Sequence, residues 1–412
     1  MKILVIGGGV IGVCSAYFLQ KEGHSVTIVE QAEPGSGCSY GNAGLVVPGH
    51  AGPLARPGII SRGLRWLMND QSPFFIKPRL DPALLAWLWN FWRNSNPQKA
   101  LASARALNPL AQASRELTSQ IIETESIDCD FRDRGMLQLF RSEEELLATA
   151  EEEQQYAIPG LEPQVLDNPQ ARELEPAIRE EVAGALLHPR DGSFDPAAFV
   201  RGLADAFERE GGSVRPHTEA LDFDVDGGQV RRVSTSRGEF APDLTVISAG
   251  ALTPHLGSRL GLKIPIQPAK GYSLTYRAPP AGPRVPLLLG EDWVAVTPMG
   301  DKLRFAGTLE LVGHDPTINA RRVSAVAAAP RRYLHLDNEL TLLETWSGAR
   351  PATAHGLPVI ARPPGLTNVI IAAGHGMLGM TLGPATGSLV AALAARRDPE
   401  IDMQPFSLGR VK

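Results

Sequence analysis

Apolar positions along the chain fall into two periods, and the places where one gives way to the other predict the elements. Lys2–Ile6 is a short β-branched run (Ile3, Leu4, Val5, Ile6), apolar throughout as a buried parallel strand requires. Ile11, Cys14, Ser15, Phe18 and Leu19 follow at helical spacing up to Gly23, and residues 25–30 return to strand character through Val26, Ile28 and Val29. The opening thus predicts a β-α-β unit. Near the middle, Asp195-Pro196 marks a helix start, with Phe199, Leu203 and Phe207 on its buried face and Gly211-Gly212 at its end. Residues 221–225 and 229–235, parted by Asp226-Gly227-Gly228 and followed by the turn Arg237-Gly238, predict an antiparallel meander. Two further strands are expected at 244–250 and 368–373, and a helix at 384–395.

The glycines between the first strand and helix carry the first chemistry. Gly7-x-Gly9-x-x-Gly12 stands where a turn, a close approach to a pyrophosphate and tight helix packing each exclude a side chain. The helix start at Val10 and Ile11 supplies partial positive charge for the phosphates. Glu30, followed by Gln31, can accept hydrogen bonds from ribose hydroxyls and disfavours a 2′-phosphate. The chain next enters a small-residue stretch, Glu33 to Gly44, along which an extended coenzyme can lie, with Ser36, Ser39 and Asn42 as donors and Ala43, Gly44 and Leu45 continuing the wall. That favours FAD over NAD. Ala220, Ser248-Ala249-Gly250 and Gly348 are further expected contacts. So is the loop Gly374-His375-Gly376-Met377-Leu378-Gly379-Met380-Thr381, ahead of a helix N-terminus suited to negative charge on a reduced flavin. His375, between two glycines, reads as a backbone-placed neighbour of the flavin rather than a base.

Composition narrows the class. A net charge of −5 argues against nucleic acid as a partner. Cys14, Cys38 and Cys129 have no CxxC or Cys/His metal spacing, so no metal and no disulfide framework are expected, as in a reducing, cytoplasmic setting. Residues 3–19 and 363–395 are apolar enough to imitate membrane signals, but glycines break both. The protein is expected to be soluble or peripheral, at the inner face of a membrane.

Six blocks, in order, resemble the glycine oxidase, sarcosine oxidase and D-amino-acid oxidase superfamily: VIGGGVIGVCSAYFLQKEGHSVTIVE, CSYGNAGLVVPG, QPAKGYSLT, LRFAGTLEL, WSGARPATAHGLPVIA and GHGMLGMTLGPATG. The resemblance is nearest to its D-amino-acid dehydrogenase branch, D-hydroxyproline dehydrogenases included. It implies an α/β fold, α+β overall, in which a Rossmann-like FAD-binding domain (1–48, 171–255 and 345–412) interleaves with a substrate or cap domain (49–170 and 256–344). The latter would be built on an antiparallel sheet of 264–277, 287–297 and 303–311, with a hairpin at Met299-Gly300-Asp301-Lys302. The resemblance also implies that Arg350 grips the substrate carboxylate, and offers Tyr272 and His50 as further groups at the site. Where relatives commonly read Asp-Gly after the arginine segment, this chain has His355-Gly356, which leaves that turn open. The C-terminal loop has no cysteine, so FAD is expected to be non-covalent.

The implied reaction is hydride transfer from Cα of a D-amino acid or cyclic imino acid, such as D-proline or D-hydroxyproline, to flavin N5. The acceptor is then a quinone or an electron-transfer protein. An oxidase using O2 and a non-catalytic electron-relay subunit are the rivals. Residues 64–92 hold Trp66, Trp87, Trp89 and Trp92, and present two readings: a buried cap helix, which is favoured, or a peripheral membrane contact.

Overall fold

The computed structural model describes residues 1–49, 52–67, 69, 72–157, 161–336 and 340–410. The opening strand Lys2–Ile6 lies inside a six-stranded sheet, between Leu244–Ile247 and Ser25–Val29 and parallel to both. Val369–Ala373 extends it beyond Leu244–Ile247, Ser213–Arg215 beyond Ser25–Val29, and Val359–Ala361 adds an antiparallel edge. Strands buried on both faces are mostly apolar, and these central ones are, apart from Lys2 at an exposed end and Thr245. The meander appears as a three-stranded sheet, Ala220–Asp226, Gln229–Thr235 and Gly238–Phe240. Asp195 caps the helix Pro196–Arg209 as the sequence predicts, accepting from the amides of Ala197 and Ala198.

The first helix, Val10–Lys21, packs on the last, Gly379–Ala394. Contact is backbone to backbone: a Cβ on Gly387 would lie 2.5 Å from the Cys14 carbonyl oxygen, and one on Gly383 would lie 2.9 Å from Val10. The last helix starts at Gly379, five residues before its predicted start. Pro384 resembles a first-turn proline in sequence, yet it sits inside the helix. The amide of the next residue, Ala385, donates 3.2 Å to Ser114 Oγ on the long helix Pro97–Glu125. That long helix was expected with the substrate part, but Leu107, Leu110, Ala111 and Ile121 share a core with the first and last helices.

A second, nine-stranded sheet runs in the order Leu342–Thr353, Ile266–Arg277, Lys302–Leu311, Val294–Met299, Leu287–Leu289, Met136–Phe140, Gly184–His188, Gln164–Asp167, with Phe74–Ile76 paired to Lys302–Leu311. It is mixed, not purely antiparallel. Leu287–Leu289 runs parallel to Met136–Phe140, and Phe74–Ile76 parallel to Lys302–Leu311. The single strand expected at 287–297 is two strands joined by a turn at Gly290–Trp293. The two-residue hairpin after Met299 forms as expected, with Gly300 at φ 58°. Two expected segment limits cut across this sheet: Gly184–His188 belongs to it although it follows residue 171, and 345 falls inside Leu342–Thr353.

The aromatic segment is split between surface and interior. In the helix Pro82–Asn94, Leu84 and Trp87 are buried, whereas Leu85, Trp89 and Trp92 are more than half exposed, as is Leu64 on the helix Ile59–Leu67. A wholly buried cap helix is therefore not what forms. Among the described residues, no helix is long and apolar enough to cross a membrane.

The helix contact yields a direct test. Gly387→Ala forces a methyl group against the Cys14 carbonyl and is expected to cost about 1–3 kcal/mol, read as a lower urea midpoint with an unchanged m-value. An unaltered midpoint would contradict the close approach.

Candidate functional site

Between the two sheets lies one continuous cavity of about 860 Å3. Its wall includes Gly7, Gly9, Val10, Ile11, Glu30, Gln31, Ser39, Asn42, Ala43, Leu45, Ala220, Ser248, Ala249, Gly250, Gly348, Gly374, His375, Gly376, Met377, Leu378, Gly379 and Met380, together with Arg350. Residues far apart in the chain are thus brought to one space. Gly12, Gly44 and Thr381 stand behind the wall. A Cβ on Gly12 would meet the Gly7 carbonyl oxygen at 1.8 Å, and one on Gly44 the Phe194 carbonyl oxygen at 2.1 Å. Thr381 Oγ1 accepts from the Val47 amide at 3.2 Å and donates to the Leu45 carbonyl at 3.3 Å, fixing the strand beneath the cavity.

The end near the first helix suits a dinucleotide. Glu30 accepts from the Gly8 amide at 2.7 Å and the Ala32 amide at 3.0 Å, one per carboxylate oxygen, which leaves each oxygen a second lone pair for a ribose hydroxyl. Gly9, as N-cap, offers no side chain; Ser39 Oγ takes the Val10 amide, and the amides that follow keep an affinity for an anion. Leu378 begins the last helix without a side-chain cap, beside the start of the first: a Cβ on Gly379 would lie 3.6 Å from Val10. Ser39, expected as a ligand donor, holds its own loop to the helix by accepting from the Val10 amide at 3.0 Å. Asn42 accepts from Gly44, and Ser36 is turned outward with its hydroxyl on the Glu33 carbonyl.

Sequence reading missed the residue that anchors this loop. Arg304, in Lys302–Leu311, is buried and donates from Nη1 to the carbonyls of Tyr40 at 2.8 Å and Asn42 at 2.9 Å, and from Nε to Thr275 Oγ1. An arginine between apolar Leu303 and Phe305 in a strand was the available signal.

Arg350 projects from Leu342–Thr353 across the neighbouring strand. A Cβ on Gly271 would lie 2.0 Å from Nη1, so the guanidinium occupies the place of a side chain there. Nη1 donates 2.7 Å to the carbonyl of Thr308. Thr308 lies beside a register shift between the strands and has φ 69°, an outlier for a β-branched residue. Among the described residues no carboxylate lies within ion-pair distance of Arg350, and burial lowers its pKa. Cys38 lines the cavity beside it, its thiol donating 2.7 Å to the Ala349 carbonyl. Burial pushes the Cys38 pKa up, which keeps the thiol neutral.

Tyr272 is not at this site. It is buried off the cavity, its hydroxyl donating 2.8 Å to Glu310 and accepting from the Asn319 amide at 3.2 Å. The cause is strand phase: Gly271 faces Arg350, so Tyr272 faces the other way. His50 lies outside the described residues. His375 is buried at the cavity wall, with Nε2 3.0 Å from Thr386 Oγ1, and burial pushes its pKa down to about 3. A neutral imidazole with so low a pKa is a poor proton acceptor, as its glycine neighbours suggested. At the turn left open, His355 Nδ1 accepts from the Leu357 amide at 3.1 Å, a bond an aspartate oxygen would also make.

Comparison with known proteins adds three findings. The family model described as DAO, FAD dependent oxidoreductase, matches residues 2–393. The chain is 34% identical over 417 residues to a D-amino acid dehydrogenase of Sinorhizobium medicae (strain WSM419), covering 100% of both chains. Among solved structures it is similar to glycine oxidase from Geobacillus kaustophilus (TM-score 0.80, 27% identity, 98% of this chain and 97% of that one). It shares its fold with L-proline dehydrogenase from P. horikoshii (TM-score 0.75, 22% identity, 99% and 97%).

The buried histidine sets a pH dependence. Unfolded, His375 takes up a proton near its ordinary pKa of 6.5; folded, it stays neutral down to about 3. It therefore favours unfolding as pH falls from 6.5 to 3, by about 1.4 kcal/mol per pH unit. His375→Gln is expected to flatten the fall of urea-derived stability over that window; an equal slope in both proteins would contradict a neutral buried ring.

Proposed function

The chain belongs to the FAD dependent oxidoreductase family, and from that premise we propose that it is an FAD-dependent dehydrogenase of D-amino acids or cyclic imino acids. One observation carries the reading: a half-buried guanidinium, with no ion-pair partner among the described residues, lines the same cavity as the glycine and helix-terminus cradle. In this reading Glu30 and Gln31 hold the adenosine and the start of Val10–Lys21 faces the pyrophosphate. The loop from Gly374 to Met380, with Asn42 to Leu45, frames the flavin ring. FAD held there would supply the acceptor for a hydride from the substrate Cα. Arg350 supplies two parallel hydrogen bonds to the carboxylate, which fixes the Cα relative to the ring. The substrate enters with its amine neutral, so no strong base is required, in keeping with His375. The loop from Gly374 to Thr381 has no cysteine, and in this reading the coenzyme is held without a covalent bond. The two parts of the chain divide as coenzyme body and substrate body, with the cavity at their junction. D-Proline and D-hydroxyproline are the cyclic substrates in this reading.

Arg350→Ala is expected to raise KM for the amino acid about 100-fold while the purified protein stays yellow. Flavin bleaching by D- and L-amino acids under anaerobic conditions, scored for each, measures both properties. An unchanged KM overturns the carboxylate role. Peroxide release in air at the rate of dye-linked turnover would favour an oxidase instead.

The exposed aromatic segment supports a peripheral membrane contact and a quinone as acceptor. Leu64, Leu67 and Trp92 are exposed and also line the cavity, so the apolar surface is continuous with its mouth. Residues 59–94 hold five basic side chains (Arg62, Arg65, Lys77, Arg79, Arg93) against Asp70 and Asp81, the reverse of the chain's −5 balance. Arg62, Lys77 and Arg79 are engaged by Glu145, Asp315 and Asp81, which leaves Arg65 and Arg93 beside the exposed aromatics to meet an anionic lipid surface. The double variant Trp89→Ser/Trp92→Ser is expected to lose co-sedimentation with anionic vesicles while dye-linked turnover continues; vesicle binding equal to wild type removes the contact.

A further inference from the structure

Past the Thr308 carbonyl that holds Arg350, the cavity continues along one face of the nine-stranded sheet. Ala306 pairs with Ala295, Ala295 with Leu288, and Leu288 with Gln138, so these four form a row across adjacent strands. Side chains directly opposite share a face, and all four line the cavity. The two alanines leave space next to the arginine; leucine and glutamine close the far end. Gln138 is only 7% exposed, and its amide oxygen is buried without a hydrogen-bond partner. Leaving such an acceptor unpaired costs stability, which a ligand donor restores.

The opposite wall is aromatic. Trp293 sits in the turn between Leu287–Leu289 and Val294–Met299 at φ 54°, an outlier for so bulky a residue, and strain of that kind gathers at functional sites. Its ring meets Trp66, from the helix Ile59–Leu67, edge-on at 5.4 Å. Arg56, which also lines this end, is engaged by Glu152 at 3.3 Å and lies over the Trp293 ring. Its charge is thereby satisfied. Adjacent strands lie about 4.8 Å apart, so the strand of Gln138 is roughly 14 Å from that of Thr308. With a carboxylate on Arg350, that span accommodates a side chain about as long as that of phenylalanine or tyrosine.

We propose that this chamber receives the substrate side chain, so that large uncharged D-amino acids, aromatic ones first, are the preferred substrates, with Gln138 bonding a hydroxyl or amide at the far end. This rests on the amino-acid dehydrogenase reading and deepens it: Arg350 recognises what all amino acids share, and the chamber recognises what distinguishes them. Rotation of the Gln138 carboxamide offers a substrate hydroxyl either an acceptor or a donor.

The test uses the FAD-loaded protein and dye-linked kcat/KM for D-alanine, D-phenylalanine, D-tyrosine, D-glutamate and D-arginine. D-Phenylalanine is expected to exceed D-alanine by about tenfold or more, D-tyrosine to exceed D-phenylalanine, and both charged substrates to fall below D-alanine. Ala295→Phe fills the chamber and should cut the D-phenylalanine to D-alanine ratio by about tenfold or more. Gln138→Leu should cut the D-tyrosine to D-phenylalanine ratio by about tenfold. Ratios within one protein, taken with its flavin absorbance, separate loss of selectivity from loss of fold. A wild-type preference for D-alanine, D-glutamate or D-arginine overturns the chamber assignment, as do ratios that neither variant moves, while turnover of those substrates leaves the dehydrogenase reading standing. Flavin that no amino acid reduces overturns both.

Discussion

A positive charge drawn partly out of water, with no counter-charge among the described residues, governs this structure. An ion that loses hydration needs a partner to restore it, and half-buried Arg350 has one short hydrogen bond from Nη1 to a carbonyl oxygen. Its surroundings are shaped to tolerate that state. Gly271 gives up its side-chain space, and Thr308 adopts a strained backbone beside a register shift, presenting its carbonyl to Nη1. The arrangement is costly when empty and relieved when a carboxylate arrives, so binding energy is concentrated on one group of the substrate.

The coenzyme side was readable because each requirement there is local. Gly7, Gly9, Gly12 and Glu30 serve a turn, a close approach, a helix contact and a hydrogen-bonded acid within one short stretch. Their spacing alone predicts their places. The same locality made the meander and the hairpin at Met299 legible, since turn residues report on their own backbone. The family match and the whole-length relatives agree with the fold and the flavin chemistry drawn from these residues.

What the sequence concealed depends on partners remote in the chain. Tyr272 follows Gly271 directly, and only the strand phase set by Arg350 shows that it faces away from the cavity. Arg304 looks like an edge residue until the Tyr40–Asn42 loop is placed on it. Pro384 carries a start signal that the packing of Gly383 and Gly387 against the first helix overrides. Tryptophan enrichment at 64–92 did not reveal which faces would be covered, because the covering strand comes from beyond residue 300.

The position of the first strand has a consequence for synthesis. Lys2–Ile6 is synthesised long before one of its neighbours, Leu244–Ile247, and its helix is covered by the still later Gly379–Ala394. A nascent chain must therefore carry one edge of an apolar strand and one face of its helix uncovered through most of their synthesis, a long-range topology that folds slowly and exposes sticky surface meanwhile. Translation runs at about 5–20 residues per second, so that exposure lasts tens of seconds. A chain truncated before its final helix is accordingly a substrate for chaperones and proteases rather than a smaller flavoprotein.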